Sequence, residues 1–108
     1  MQTEKPLFIV TVQAAEDLTR CRLVNFAGEL PTAGQRVLGV ATMNFDSGEQ
    51  ASVAVRGEML VEAAAAIAMG VEVESDAAGC AVTKTTGVAF GVTRDAATAA
   101  GDIIRVLM

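Results

Sequence analysis

The chain contains no histidine. That absence removes the commonest general base and the commonest metal ligand, and it rules out any Ser-His-Asp or Cys-His arrangement. Only two cysteines occur, Cys21 and Cys80, without CxxC spacing, so a zinc site would need unusual ligands. In a reducing compartment they read as two small buried hydrophobes rather than as a disulfide. Tryptophan and tyrosine are missing, and the aromatic content of 4% is all phenylalanine. Aromatic rings bury the most area per residue, so the core has to be built from smaller pieces, chiefly Ala and Val. A chain of 108 residues makes one domain and buries only about two-thirds of its unfolded surface. A small-residue core of that size gains from association with further copies of itself.

Positive charge is also scarce. Lys and Arg number 8 against 13 Asp and Glu, a net charge of −5. The basic residues are scattered, and only Arg20 and Arg22 stand close together. Nucleic-acid binding needs a clustered basic footprint, so nucleic acid is a poor partner and none is expected. No apolar run approaches the roughly 20 residues of a membrane helix, and no membrane partner is expected. The start, Met1-Gln2-Thr3-Glu4-Lys5-Pro6, lacks the basic-then-apolar order of a secretory signal, which predicts synthesis and retention in the cytoplasm unless a larger assembly carries the protein out.

Phosphate-loop chemistry is missing as well. Lys84-Thr85 ends like a GxxxxGK[ST] pattern but has no glycine directly before the lysine. Carboxylates are the remaining candidates. Glu72, Glu74 and Asp76 are spaced by two, so a strand would place them on one face. Three such acids have the chemistry for Ca²⁺, but no D-x-D-x-D-G loop accompanies them, and they read as a solvated face opposite Val71 and Val73. Glu58 and Glu62 have the chemistry of an acid/base pair, with nothing to predict a pocket between them. No catalytic residue, cofactor or metal is expected, and the chain reads as a non-enzyme.

What is present is β patterning. Leu7 to Val12 is rich in β-branched residues and predicts a strand whose near-continuous apolarity implies that both faces are covered, at least in part. Residues 16–26 are ambiguous between a short helix and a strand. Residues 36–41, 51–55, 88–92 and 103–107 predict strands, with a turn at 44–48 and a loop at 95–101. Val71-Glu72-Val73-Glu74 and Cys80-Ala81-Val82-Thr83 predict a hairpin about the turn Asp76 to Gly79. A helix competes only in the Ala run of 62–69, ahead of Gly70. Strand is expected over 58–62, with any helix limited to about two turns. Residues 1–6 read as an N-terminal arm outside a β domain of residues 7–108, either lying on a neighbour's sheet edge or fraying. Several short strands at close spacing indicate a small barrel or sandwich.

One pattern occurs twice. Leu38-Gly39-Val40-Ala41, Gly48-Glu49 and Val53-Ala54-Val55 are matched by Phe90-Gly91-Val92-Thr93, Gly101-Asp102 and Ile104-Arg105-Val106. Each copy is an apolar residue, Gly-Val, a polar loop, Gly-acid and an apolar run. The glycines lie 52 and 53 residues apart (Gly39 to Gly91, Gly48 to Gly101), so two halves of similar length are expected.

The residues and their order carry a family resemblance. It runs from the N-terminal apolar strand through Val53-Ala54-Val55-Arg56-Gly57, Val61-Glu62-Ala63, Gly70-Val71-Glu72-Val73, Asp76-Ala77-Ala78-Gly79 and Gly87-Val88-Ala89-Phe90-Gly91-Val92 to Ala100-Gly101-Asp102-Ile103-Ile104-Arg105-Val106-Leu107. This order resembles the small capsid cement (decoration) proteins of tailed bacteriophages, a group formerly called a domain of unknown function. The resemblance implies an all-β fold, a small β-barrel or β-tulip-like sandwich with at most one short helix and an extended N-terminal arm. It further implies a virion protein, made in the host cytoplasm and placed on the outer capsid surface, that contacts the major capsid protein and self-associates as a homotrimer. Capsid or inter-subunit contact is then expected from Met1, Gln2, Thr3, Glu4, Lys5, Pro6, Leu7 and Phe8. Two alternatives stand beside it: another virion β-module of the tail or head-completion type, and a small enzyme built on paired carboxylates such as Glu58 and Glu62 or Asp46.

Overall fold

Short runs of Val, Ile, Leu and Ala between Gly- and Asp-bearing turns give strands and no helix among the described residues, 4–108 of the computed structural model. The strands are β1 (Lys5–Gln13), β2 (Leu23–Val24), β3 (Gly39–Ala41), β4 (Gln50–Glu62), β5 (Glu72–Ser75), β6 (Ala81–Thr83), β7 (Gly91–Thr93) and β8 (Ile103–Leu107). They form one sheet in the order β2-β3-β4-β8-β7-β5-β6, with β1 added against β4. All its ladders are antiparallel, and the sheet curls into a nearly closed barrel, in agreement with the all-β expectation. The predicted hairpin forms as β5 and β6, with Val73 opposite Thr83 and Ser75 opposite Ala81.

The Ala run stays out of helix because long-range partners take its backbone. Ala63 donates its amide to the Asp102 carbonyl, Ala64 to Ala81, and Ile67 exchanges hydrogen bonds with Ala97. Ile67 is buried in the core. Tertiary pairing here outweighs an intrinsic preference that amounts to only tenths of a kcal/mol per residue; a helix so short also gains little from cooperativity.

The two-copy pattern is a structural repeat. Val24–Gly39 of the β2–β3 ladder recurs as Val73–Gly91 of β5–β7. Ala41–Val53 recurs as Thr93–Val106, and Val12–Ala51 as Val61–Ile104. Even the isolated bridge Leu18–Phe45 has its counterpart in Ile67–Ala97. Cys21, with φ of 68°, occupies the left-handed position that Gly70 fills in the second copy at 75°. Gly39 and Gly91 are glycine for one shared reason: a Cβ at either would run into the carbonyl across the ladder, Ala54 or Leu107. The first unit is β1, β2, β3 and the start of β4. The second is the end of β4, β5, β7 and β8, with β6 as an addition.

Strand β4 joins the units, and its inward face changes midway. Ala51 and Val53 face a smaller cluster with Leu18, Val24 and Ala41. Ala54, Met59 and Val61 all face the larger one, with Leu23, Val73, Ile104 and Val106. Strict alternation would separate Ala54 from Met59. The switch falls where Gly57 adopts φ of 116° and the pairing with β1 shifts register, as at a β-bulge.

Strand β1 departs from expectation. Its apolarity implied cover on both faces, yet Leu7 is 83%, Phe8 58% and Ile9 49% exposed. Among the described residues it pairs with β4 alone, and of its side chains Val10 and Val12 pack on the smaller cluster. The strand also begins at Lys5, so Lys5 and Pro6, read as arm, pair with Glu58 and Gly57.

Candidate functional site

The exposed side of β1 borders a groove of about 410 Å³. It lies between β1 with β4 and the two segments that lead into β3 and β7. Those segments are equivalent in the repeat, Arg36-Val37-Leu38 and Val88-Ala89-Phe90, so the repeat itself builds much of the wall. Phe8, Phe26 and Phe90, three of the 4 phenylalanines, line the groove with Met108. Phe8 and Phe26 are more than half exposed. Rings left in water in a chain so poor in aromatics make this groove the candidate contact surface.

Arg36 and Arg56 also line the groove. Arg20, Arg22, Arg94 and Arg105 have ion-pair partners in Glu4, Glu62, Glu58 and Asp95; Arg36 and Arg56 have none among the described residues. Two unpaired guanidinium groups beside exposed rings, in a chain of net charge −5, suit a partner that offers carboxylates next to apolar side chains.

Of the contact residues expected from sequence, Met1, Gln2 and Thr3 lie outside the described residues. Glu4 holds Arg20 at 2.9 Å. Lys5, Pro6, Leu7 and Phe8 are in β1, and only Phe8 enters the groove. Phe26, Arg36, Arg56, Phe90 and Met108 were not among the expected residues. Their approach depends on the packing of five separate segments, which no local pattern in the sequence reports; Phe90 and Met108 also pack against the larger core cluster.

The carboxylates singled out by spacing are dispersed in role. Glu72 points to solvent. Glu74 is buried, against the solvated face read from sequence. Its carboxylate accepts from the Thr85 amide, from the Thr85 hydroxyl at 3.1 Å and from the Gly87 amide at 3.3 Å. These bonds, the Thr85 amide first, hold its pKa below the usual range. Asp76 caps the β5–β6 turn through the Ala78 and Cys80 amides, each at 2.9 Å. Glu58 pairs with Arg94 at 2.7 Å and Glu62 with Arg22 at 3.0 Å, so neither is available as a free acid or base. Burial pushes the Cys80 thiol up to about 11 and raises Cys21 as well; both are buried free thiols.

No curated protein matches the sequence. Among solved structures, the N base of the head fiber gp8.5 of bacteriophage phi29 has the same fold, with a TM-score of 0.78 over 94% of this chain and 92% of that one at 19% identity. The family model described as phage cement protein matches residues 1–108, and the chain therefore belongs to the phage cement proteins, a family of virion structural proteins.

Proposed function

We propose that this protein binds the outer surface of the phage head and stabilises the assembled lattice as a cement (decoration) protein, with the major capsid protein and further copies of itself, as a homotrimer, for partners. The observation that carries the reading is strand β1. Nine residues long, it has Leu7, Phe8 and Ile9 in water and pairs along one edge only among the described residues. A long apolar edge strand is an aggregation hazard unless a partner covers it. Residues Met1 to Phe8 are the proposed contact with capsid or neighbouring copy; of these, Lys5 to Phe8 belong to this strand.

A cement function needs no catalyst. It needs surfaces that neighbours complete, and many weak contacts repeated over a shell act together through multivalency. A protein that binds only the assembled lattice stabilises it by mass action. Co-sedimentation with expanded heads lacking the protein tests this. Saturable binding that raises the temperature at which heads disrupt is expected; absence of binding to heads, with binding to tail or neck proteins instead, would overturn it.

A further inference from the structure

The two units of the repeat differ in what covers their outer faces. In the first, Leu23 pairs with Val40 and Val40 with Ala54, so these three share a face. All are buried in the larger core, beneath the second unit. The matching triplet of the second unit is Glu72, Val92 and Leu107, in the same ladder positions. There the face is open: Val92 is 39% and Leu107 47% exposed, and Glu72 is exposed without an ion pair among the described residues. Glu58, across from Leu107, is already held by Arg94 and Arg105. The strip thus offers two apolar side chains and one unpaired carboxylate. The groove offers exposed rings with Arg36 and Arg56 unpaired. The strip and the groove lie on opposite sides of the chain's last strand, because Leu107 faces out while its neighbour Met108 lines the groove.

We propose that the groove receives the Glu72–Val92–Leu107 strip of a second copy of this chain, in a head-to-tail contact that closes as a ring of three. Opposite charge and apolar surface match on two different patches, which is the arrangement of a heterologous rather than an isologous interface. Carboxylate on guanidinium sets the register, and Val92 and Leu107 cover Phe8, Phe26 and Phe90. This deepens the self-association part of the proposed function and rests on it, but its test needs no phage heads.

The solution mass of the purified protein is measured at micromolar concentration by light scattering and sedimentation equilibrium. Wild type is expected as a trimer. Arg36→Glu with Arg56→Glu, and separately Glu72→Arg, should each weaken association by about tenfold or more, and combining all three substitutions should restore the trimer. All three side chains are exposed, and far-UV circular dichroism checks that the variants keep the fold. A monomeric or dimeric wild type, single-patch variants of unchanged mass, or a combined variant that does not reassemble would each overturn the contact. Variants that stay trimeric yet lose binding to heads would also overturn it, assigning the groove to a head protein. Loss of head binding by wild-type trimer would instead count against the cement function alone.

Discussion

Glu74 shows how a single residue is committed before any partner arrives. A carboxylate beside Val73 in a strand reads as an outward charge, yet here it closes the segment between β6 and β7 by accepting from Thr85 and Gly87. Its pKa lies below the ordinary value, as does that of Asp102, which accepts first from the Thr98 amide and then from the Thr98 hydroxyl and Ala99 amide. A carboxylate depressed in the folded state binds fewer protons folded than unfolded. Its contribution is therefore complete above the unfolded pKa, about 4 for these groups, and is lost as pH falls through the folded value. Stability to urea should decline below pH about 4. Glu74→Gln should lower the melting temperature at pH 7 and flatten that acid decline, and an unchanged acid limb would contradict the assignment. The thiols make a second case. With Cys80 raised to about 11 and both buried, iodoacetamide at pH 8 should label neither in the native protein and both after denaturation. Cys21→Ser and Cys80→Ser should remove no crosslink on a non-reducing gel.

At the scale of elements, the repeat explains why particular glycines recur. Gly39 and Gly91 sit where the opposing carbonyl leaves no room for a Cβ, and Gly57 holds the left-handed conformation at which β4 changes its inward face. Gly91→Ala and Gly57→Ala should each destabilise by more than about 1 kcal/mol, read as a shift in the urea midpoint. Gly70→Ala, at a left-handed site with open space around it, should cost nearer about 1 kcal/mol. The order of these effects checks the ladder geometry, since a clash with backbone cannot be relieved by a side-chain rotation. The elements also show what periodicity conveys and what it does not. The β5–β6 hairpin and β8 were legible because their alternation and turns are local. The Ala run was ambiguous because local preference favours helix while its amides are claimed by Asp102, Ala81 and Ala97, partners that no short window contains.

Over the whole molecule, the separation of surfaces matters most. The buried residues of the two clusters are aliphatic, with Leu23, Met59 and Ile104 the largest of the fully buried and no ring among them, and the large apolar side chains Leu7, Phe8, Ile9 and Phe26 are left outside. Leu7, the most exposed of them, lies in β1 but does not line the groove. Leu7→Asp should therefore lower occupancy on heads by about tenfold or more while the solution mass and melting temperature stay as in wild type. Occupancy equal to wild type would remove β1 from the head contact. Deletion of residues 1–4 tests the arm without touching the pairs of Lys5 and Pro6 with β4, and it should weaken head binding while leaving the isolated fold intact.

The sequence by itself determined the all-β class, the absence of histidine chemistry and the two-unit repeat. Each of these follows from composition or from patterns a few residues long, and the repeat signals itself by glycine and valine at matched spacing. The uncovered strand, the change of face at Gly57 and the gathering of Phe8, Phe26 and Phe90 with Arg36 and Arg56 were decided by tertiary structure alone. The physical reason is the nature of β pairing. A strand's partner, and hence which of its faces is covered, is fixed by hydrogen bonds to segments far away in sequence. A run as apolar as Leu7 to Val12 is therefore equally suited to a buried core and to an open edge, and only the assembled sheet, with β4 as the single neighbour of β1 among the described residues, selects between them.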